Sequence, residues 1–301
     1  MPAAPPPLRG VIVGYGHMGR LHGKRLSERE DARLVAVIDP VPPPEGQVAP
    51  WFSALDALDG LGPLDFAVVA APSAAHAPLA RALLDRGLAV LVEKPLTPTA
   101  AEAEALIGET RLSVSHLERF NPALRALPSG AAPRYLRAER LAPPRSRGLD
   151  VDVILDLMIH DLDLALWLGG GAPVRTLQAV GVSVRGGALD IAEAWIELEG
   201  GFTATLTASR VSRAAARRLR VVNDGEYFSL DLNSRRAERV PWGEGDLDSH
   251  PVELPPGDSI TALHDSFLAA VRGEAPFPVP AAEGARAVAL AERVAVAARR
   301  G

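Results

Sequence analysis

Six residues near the start of the chain, Gly14-Tyr15-Gly16-His17-Met18-Gly19, have the types and spacing to cradle a dinucleotide pyrophosphate. Gly14 permits a tight turn, Gly16 lets the backbone approach an anion, and Gly19 lets the following helix pack close to the preceding strand. A helix opening at His17 and Met18 offers unpaired N–H groups and partial positive charge to that anion. Asp39 lies twenty residues past Gly19, at the end of the next apolar run. Its carboxylate suits the two ribose hydroxyls and repels a 2′-phosphate, and Pro40 follows with no Arg or Ser to hold one. NAD is therefore expected rather than NADP. The plain alternative is a glycine-rich turn beside a surface aspartate.

Two further groups could act on a substrate. Glu93-Lys94-Pro95 ends an apolar run, and ligands on parallel sheets sit beyond the carboxyl ends of the strands, so Lys94 is expected to face the cofactor crevice. Pro95 restricts the turn to a few backbone shapes, cis among them. Residues 152–168, DVILDLMIHDLDLALWL, read as one helix on which Asp152, Asp156, His160 and Asp163 share an arc of about 80°. The remaining positions are nearly all apolar, so this acidic and imidazole stripe looks like the wall of a cleft. Asp156 and His160 are i,i+4 neighbours, and a carboxylate beside an imidazole orients it and raises its basicity. That is a general base with its orienting group. A purely structural Asp–His pair and a metal site are the alternatives, the second poorly supported by one histidine and no thiolate. Asp161, on the far side, is expected to pack elsewhere.

These groups need a scaffold. Apolar runs at 8–14, 32–39, 65–70, 88–93 and 111–116 alternate with helical stretches at 17–29, 74–86 and 99–109. Continuous apolar strands alternating with helices predict a parallel sheet covered on both faces, with the Pro-rich 41–50 as a surface loop. After 120 the strands lengthen and partly alternate, with turn residues at Gly200-Gly201 and Asn223-Asp224-Gly225, which predicts an antiparallel sheet. Helices at about 258–272 and 282–299 close the chain. The fold class is α/β: a dinucleotide-binding domain over 1–120, then an α+β domain over 121–301 for substrate binding and oligomerisation. The C-terminal helix is expected to return toward the first domain.

Arg119 and Asn121 follow the fifth strand and are candidate binders of substrate hydroxyls or phosphates. Arg210, Arg213, Arg217, Arg218 and Arg220 could grip a diphosphate, although solvated strand faces or turns explain them better. His17, His22, His250 and His264 read as surface or packing residues, and Trp167 and Phe267 as core. The 301 residues carry 32 basic and 37 acidic side chains, a net charge of −5 that argues against nucleic-acid or anionic-membrane partners. Zero cysteines exclude disulfides, thiolate metal sites and a Cys nucleophile, and suit a reducing cytoplasm. No apolar run reaches about 18 residues, and the Pro-rich Met1–Pro7 lacks the pattern of a signal peptide.

In order and spacing, GYGHMG, VIDP, AAPSAAHAPLA (70–80), VEKPL and the Asp156…His160-Asp161 helix resemble the Gfo/Idh/MocA oxidoreductases. The resemblance implies a Rossmann domain followed by an α/β domain with a large open sheet, substrate on one side and a subunit interface on the other. It implies that Lys94 is the active-site lysine beside nicotinamide and substrate, His160 the acid/base and Asp156 its partner. Pro72, Ser73 and His76 would line the cofactor after the third strand, and Glu93 would lie near the nicotinamide ribose. A narrower likeness, carried by 116–122 and 147–153, is to the subgroup that oxidises the 3-hydroxyl of a UDP-linked N-acetylated amino sugar. The expected activity is oxidation of a sugar or nucleotide-sugar hydroxyl to a ketone, with Lys94 and His160 acting on one oxygen, in a homodimer or homotetramer. A reductase of another small carbonyl or imine, and a non-catalytic NAD(H)-binding regulator, are the alternatives.

Overall fold

The structure, a computed structural model, describes residues 5–42, 46–128, 130–144, 151–242 and 248–300. The chain divides into two compact units. One runs to His116 and includes Ile260–Ala285; the other is built on Leu117–Ser259 and continues from Arg286.

The first unit holds a six-stranded parallel sheet: β1 (Leu8–Val13), β2 (Ala32–Ile38), β3 (Trp51–Phe52), β4 (Phe66–Val69), β5 (Ala89–Glu93) and β6 (Leu112–Ser115). Its order is β3-β2-β1-β4-β5-β6, the doubly wound arrangement with its switch point between β1 and β4. Every residue of β4, β5 and β6 is buried, as continuous apolar strands between two helical layers must be. The helices of this stretch are α1 (His17–Ser27), α2 (His76–Leu84) and the short α3 (Ala100–Glu104), whose N-cap Thr99 accepts from the Glu102 N–H.

The return from the C-terminal part is made by residues assigned from sequence to the second domain. Helix α6 (Ser259–Val271) sets Phe267 edge-on to Phe66, ring centroids 6.1 Å apart. Beyond it, the Val114 N–H donates to the Val279 carbonyl at 2.9 Å. Gly284 lies so close to Val114 that a Cβ there would sit 2.5 Å from it. The apolar face of α6 closes this core, a long-range match that local periodicity does not reveal.

The second unit is an eight-stranded sheet in the order β14-β13-β12-β11-β7-β10-β9-β8. Its strands are β7 (Tyr135–Leu141), β8 (Val174–Val182), β9 (Ile191–Leu198), β10 (Thr203–Ser209), β11 (Ala216–Asn223), β12 (Glu226–Asp231), β13 (Arg236–Pro241) and β14 (His250–Pro251). Only β7 and β10 run parallel; the other pairs are antiparallel. A two-residue turn links β11 to β12, with Gly225 at φ 86°, and Gly200 and Gly201 turn β9 into β10, as the turn residues predict. The short α4 (Pro122–Arg125) precedes β7.

Alternation gives this sheet two faces. Leu136, Ala138, Ala194, Ile196, Ala204, Leu206, Leu219 and Val221 point inward, onto Ile154, Met158, Leu162 and Ala165. The opposite face is mixed rather than apolar. Thr203, Thr205 and Thr207 alternate along β10, and exposed Val180, Val182 and Trp195 cluster at the β8–β9 end.

Residues 152–168 are not one regular helix. A π-helical turn over Ile154–Met158 precedes α5 (Ile159–Leu168). The wider turn breaks the 100° progression on which the expected four-residue stripe depended. Helix α7 (Ala281–Ala298) ends the chain.

Candidate active site

In the first unit the glycine turn has the predicted construction. Gly14 sits at φ +89°, where a Cβ would also meet the Ala71 nitrogen at 2.4 Å. A Cβ on Gly19 would lie 2.0 Å from the Gly14 carbonyl oxygen, so α1 can approach β1 only with glycine there. Around Gly16 nothing comes within 4 Å of a built Cβ, leaving open space in front of the turn. Gly16 is also the N-cap of α1, with no side-chain cap, so the first-turn amides at His17 and Met18 meet no capping side-chain oxygen. Asp39 is anchored beside this turn: its carboxylate accepts from the Tyr15 N–H at 2.6 Å and the Val41 N–H at 2.9 Å. Each carboxylate oxygen keeps a further lone pair for a hydroxyl donor. An uncapped helix start, an empty approach at Gly16 and an anchored carboxylate fit a dinucleotide.

Past β4, Pro72 is exposed and Ser73 half-buried on a short 3-10 turn. His76 departs from expectation. It is 1% exposed, and its ring nitrogens stand 2.8 Å from two carbonyl oxygens, Nδ1 from Pro95 and Nε2 from Ala71. It braces two turns. Glu93 is likewise spent inward: buried, it accepts from His22 Nε2 at 2.9 Å. Burial pushes the Glu93 carboxyl up, but the hydrogen bond and charge of His22 outweigh it and hold the group below the usual carboxylate range. His22 in turn reaches His264 Nε2 through Nδ1 at 2.8 Å. Lys94, half-buried, follows Glu93 directly, and the Lys94–Pro95 peptide is cis.

His22 and His264, read as packing residues, thus form a buried polar chain on the last residue of β5. One signal was present in the sequence: His22 lies one turn after Gly19, on the face of α1 that packs against the sheet. His17 and His250 are exposed and Phe267 is core, as expected.

In the second unit the stripe divides. Asp156 and His160 are half-buried, on either side of the junction between the π turn and α5. Asp152 accepts from the Leu189 N–H at 2.8 Å and pairs with Arg299 at 2.5 Å, a role at the base of the helix. Asp163 is 1% exposed and is gripped by Arg119, Nε to Oδ2 at 2.8 Å and Nη2 to Oδ1 at 2.6 Å. Arg119, expected at the substrate, has its guanidinium buried on Asp163 and over the Trp167 ring. Trp167, expected in the core, is 42% exposed. Asn121 is also structural: its Oδ1 caps α4 by accepting from the Ala123 N–H, and its Nδ2 donates to Glu118 and the Leu232 carbonyl.

Asp161 packs on the far side of the helix as expected. Arg140 holds it bidentately, both contacts 2.8 Å, and spends its third nitrogen on Glu118 at 2.8 Å. Burial raises the Asp161 carboxyl above its usual value despite Arg140; at Glu118 burial acts the same way, but the Arg140 and Arg217 charges win and lower it. The basic group after β10 and on β11 is divided. Arg210 is buried on Asp190 and the Val151 carbonyl, Arg217 reaches Glu118, and Arg218 and Arg220 face the other side of the sheet. Arg210, Arg217 and the pair Arg218 and Arg220 therefore do not share one surface. Residues 43–45 of the Pro-rich loop and Arg147–Asp150 of the narrower likeness lie outside the described residues. Among the described residues no group of three or more His, Asp or Glu could hold a metal ion, and no helix is long and apolar enough to cross a membrane.

The fold and the glycine turn define an NAD-binding oxidoreductase, and comparison with known proteins agrees. Residues 8–111 match the family model described as oxidoreductase family, NAD-binding Rossmann fold, and residues 104–227 match the GFO/IDH/MocA C-terminal domain. The chain belongs to the Gfo/Idh/MocA oxidoreductases. It is 36% identical to UDP-N-acetylglucosamine 3-dehydrogenase of Acidithiobacillus ferrooxidans over 96% of this chain and 97% of that protein. A solved structure of an enzyme of that name from the same organism superposes with a TM-score of 0.88, covering 97% and 98% of the two chains at 34% identity. Inositol 2-dehydrogenase of Rhizobium meliloti is 25% identical over 95% of each chain.

Proposed function

We propose that this chain oxidises a ring hydroxyl of a nucleotide sugar to a ketone with NAD⁺, the 3-hydroxyl of UDP-N-acetylglucosamine being the foremost candidate. The observation that carries it is the 36% identity, spread over nearly the whole of both chains, to an enzyme named for that reaction. The open approach at Gly16, the uncapped amides of His17 and Met18, and Gly14, Gly19, Asp39, Pro72 and Ser73 are the groups that would hold the cofactor. Asp39 favours NAD over NADP, because a carboxylate presented to the 2′ position welcomes a hydroxyl and repels a phosphate. Bound NAD⁺ would supply the hydride acceptor.

The residues of the chain do the rest. As the carbinol C–H bond breaks and its electron pair leaves as hydride, the hydroxyl proton passes to His160, oriented by Asp156. Lys94 stabilises the oxygen while it carries alkoxide charge. General-base help of this kind is worth about 10²–10⁴ in rate, roughly 3–5 kcal/mol. A homodimer or homotetramer in the cytoplasm belongs to the same proposal. The exposed Val180, Val182 and Trp195 are apolar surface that a second copy would cover.

NADH absorbance during incubation with UDP-N-acetylglucosamine, other UDP-sugars and inositols tests this. NADH formed with one UDP-sugar, and slowed by His160→Ala and Lys94→Ala by about tenfold or more, is the expected result. Turnover with none of them, or full activity in both variants, would overturn it.

A further inference from the structure

We propose that His22 and His76 are positioning residues for Lys94, fixing the backbone on both sides of it, His22 through the Glu93 carboxylate and His76 through the Pro95 carbonyl. This rests on the proposed function only in giving Lys94 a chemical role. Of the 32 basic residues just two are lysine, Lys24 and Lys94. Lys24 is exposed on α1, so Lys94 is the lysine placed within the fold.

A lysine presents its charge on four methylenes, and the placement of its ammonium depends first on how firmly the Cα is held. At position 93, a carboxylate with 9% side-chain exposure meets an imidazole with none, at 2.9 Å. Behind it, His264 adds a third buried ring, so β5, α1 and α6 are tied by one hydrogen-bonded chain. Ionised Glu93 accepts only, so His22 Nε2 carries the proton of that bond. At position 95, the carbonyl oxygen is 2.8 Å from His76 Nδ1, and the same ring reaches the Ala71 carbonyl after β4. The His22 and His76 rings are rigid and each has both nitrogens within 2.9 Å of a polar atom, so each links two elements and not merely two atoms. The anchors stand one residue to either side of Lys94. Loss of either frees the turn to shift, and displacement by about 1 Å at a reacting centre can cost 10² in rate.

The test uses His22→Ala, His76→Ala and the conservative His22→Gln and His76→Gln, each checked for native circular dichroism. The first readout is the rate of labelling of Lys94 by an amine reagent as a function of pH, located by mass spectrometry, with Lys24 as the internal reference. The alanine variants should change the Lys94 rate about threefold or more while Lys24 stays constant, and glutamine, which still donates, should restore part of it. The second readout is turnover of UDP-N-acetylglucosamine, where kcat should fall about tenfold or more and KM change little. An unchanged Lys94-to-Lys24 labelling ratio in folded variants would overturn the proposal. If the unaltered protein oxidises no sugar, the proposed function fails alone, and the labelling still decides the matter.

Discussion

Arg119 and Asp163, 44 residues apart, form a buried bidentate pair that ties the turn after β6 to helix α5. Both side chains are almost wholly out of water, at 6% and 2% exposure, so neither charge is compensated by solvent. Asp163→Asn should therefore destabilise the second unit by about 3–5 kcal/mol, read as a lower urea midpoint. Exchanging both partners for apolar residues, Arg119→Met with Asp163→Leu, should recover much of that loss, because no unpaired charge is left behind.

The two glycines of the cofactor turn should separate on substitution. A Cβ at Gly19 collides with the Gly14 carbonyl, so Gly19→Ala should lower the melting temperature markedly. A Cβ at Gly16 meets nothing, so Gly16→Ala should leave the melting temperature nearly unchanged and weaken NADH binding in a fluorescence titration. Equal thermal effects would contradict the geometry.

Stability should fall on the acid side of neutrality through His264. Burial, with the His22 and Arg29 charges nearby, holds this imidazole well below its ordinary value of 6.5. The folded chain keeps it neutral while the unfolded chain protonates it near pH 6.5, so its contribution is complete above that pH and is lost as pH falls below. Glu93, held below the usual carboxylate range, adds a separate loss as pH drops below about 4.5. Melting temperatures across about pH 2–8 should show both, and His264→Gln should flatten the upper phase alone.

If Asp39 sets the proposed preference for NAD over NADP, Asp39→Ser should narrow that preference by about tenfold or more, by removing the charge that would repel a 2′-phosphate. Affinities for both cofactors in the same variant measure this. It should also loosen the Tyr15 turn, since the carboxylate accepts from that backbone N–H.

The elements were legible where neighbours in sequence are neighbours in space. Five strands of the parallel sheet follow from apolar runs interleaved with helices, though the short β3 and the strand order do not, and the turn at Gly14, Gly16 and Gly19 follows from spacing within a few residues. The polar residues were harder. A carboxylate or guanidinium near a strand end looks the same whether it faces substrate or a buried partner. Arg119, Asn121, Glu93 and His76, all expected at the site, each meet a buried partner that the sequence did not announce. The π turn at 154–158 was invisible as well, since its residues keep the composition of an ordinary apolar helix.

What the sequence by itself determined was the local chemistry: which turn must be glycine, which strands must be buried on both faces, and which residues carry titratable groups. Periodicity and backbone sterics act over a few residues and can be read there. Only the tertiary structure decided which charges are satisfied inward, because that depends on partners such as His22 and Glu93, 71 residues apart, or His22 and His264, 242 apart. Burial turns those meetings into strong, directional constraints, and no local pattern encodes which distant group will arrive.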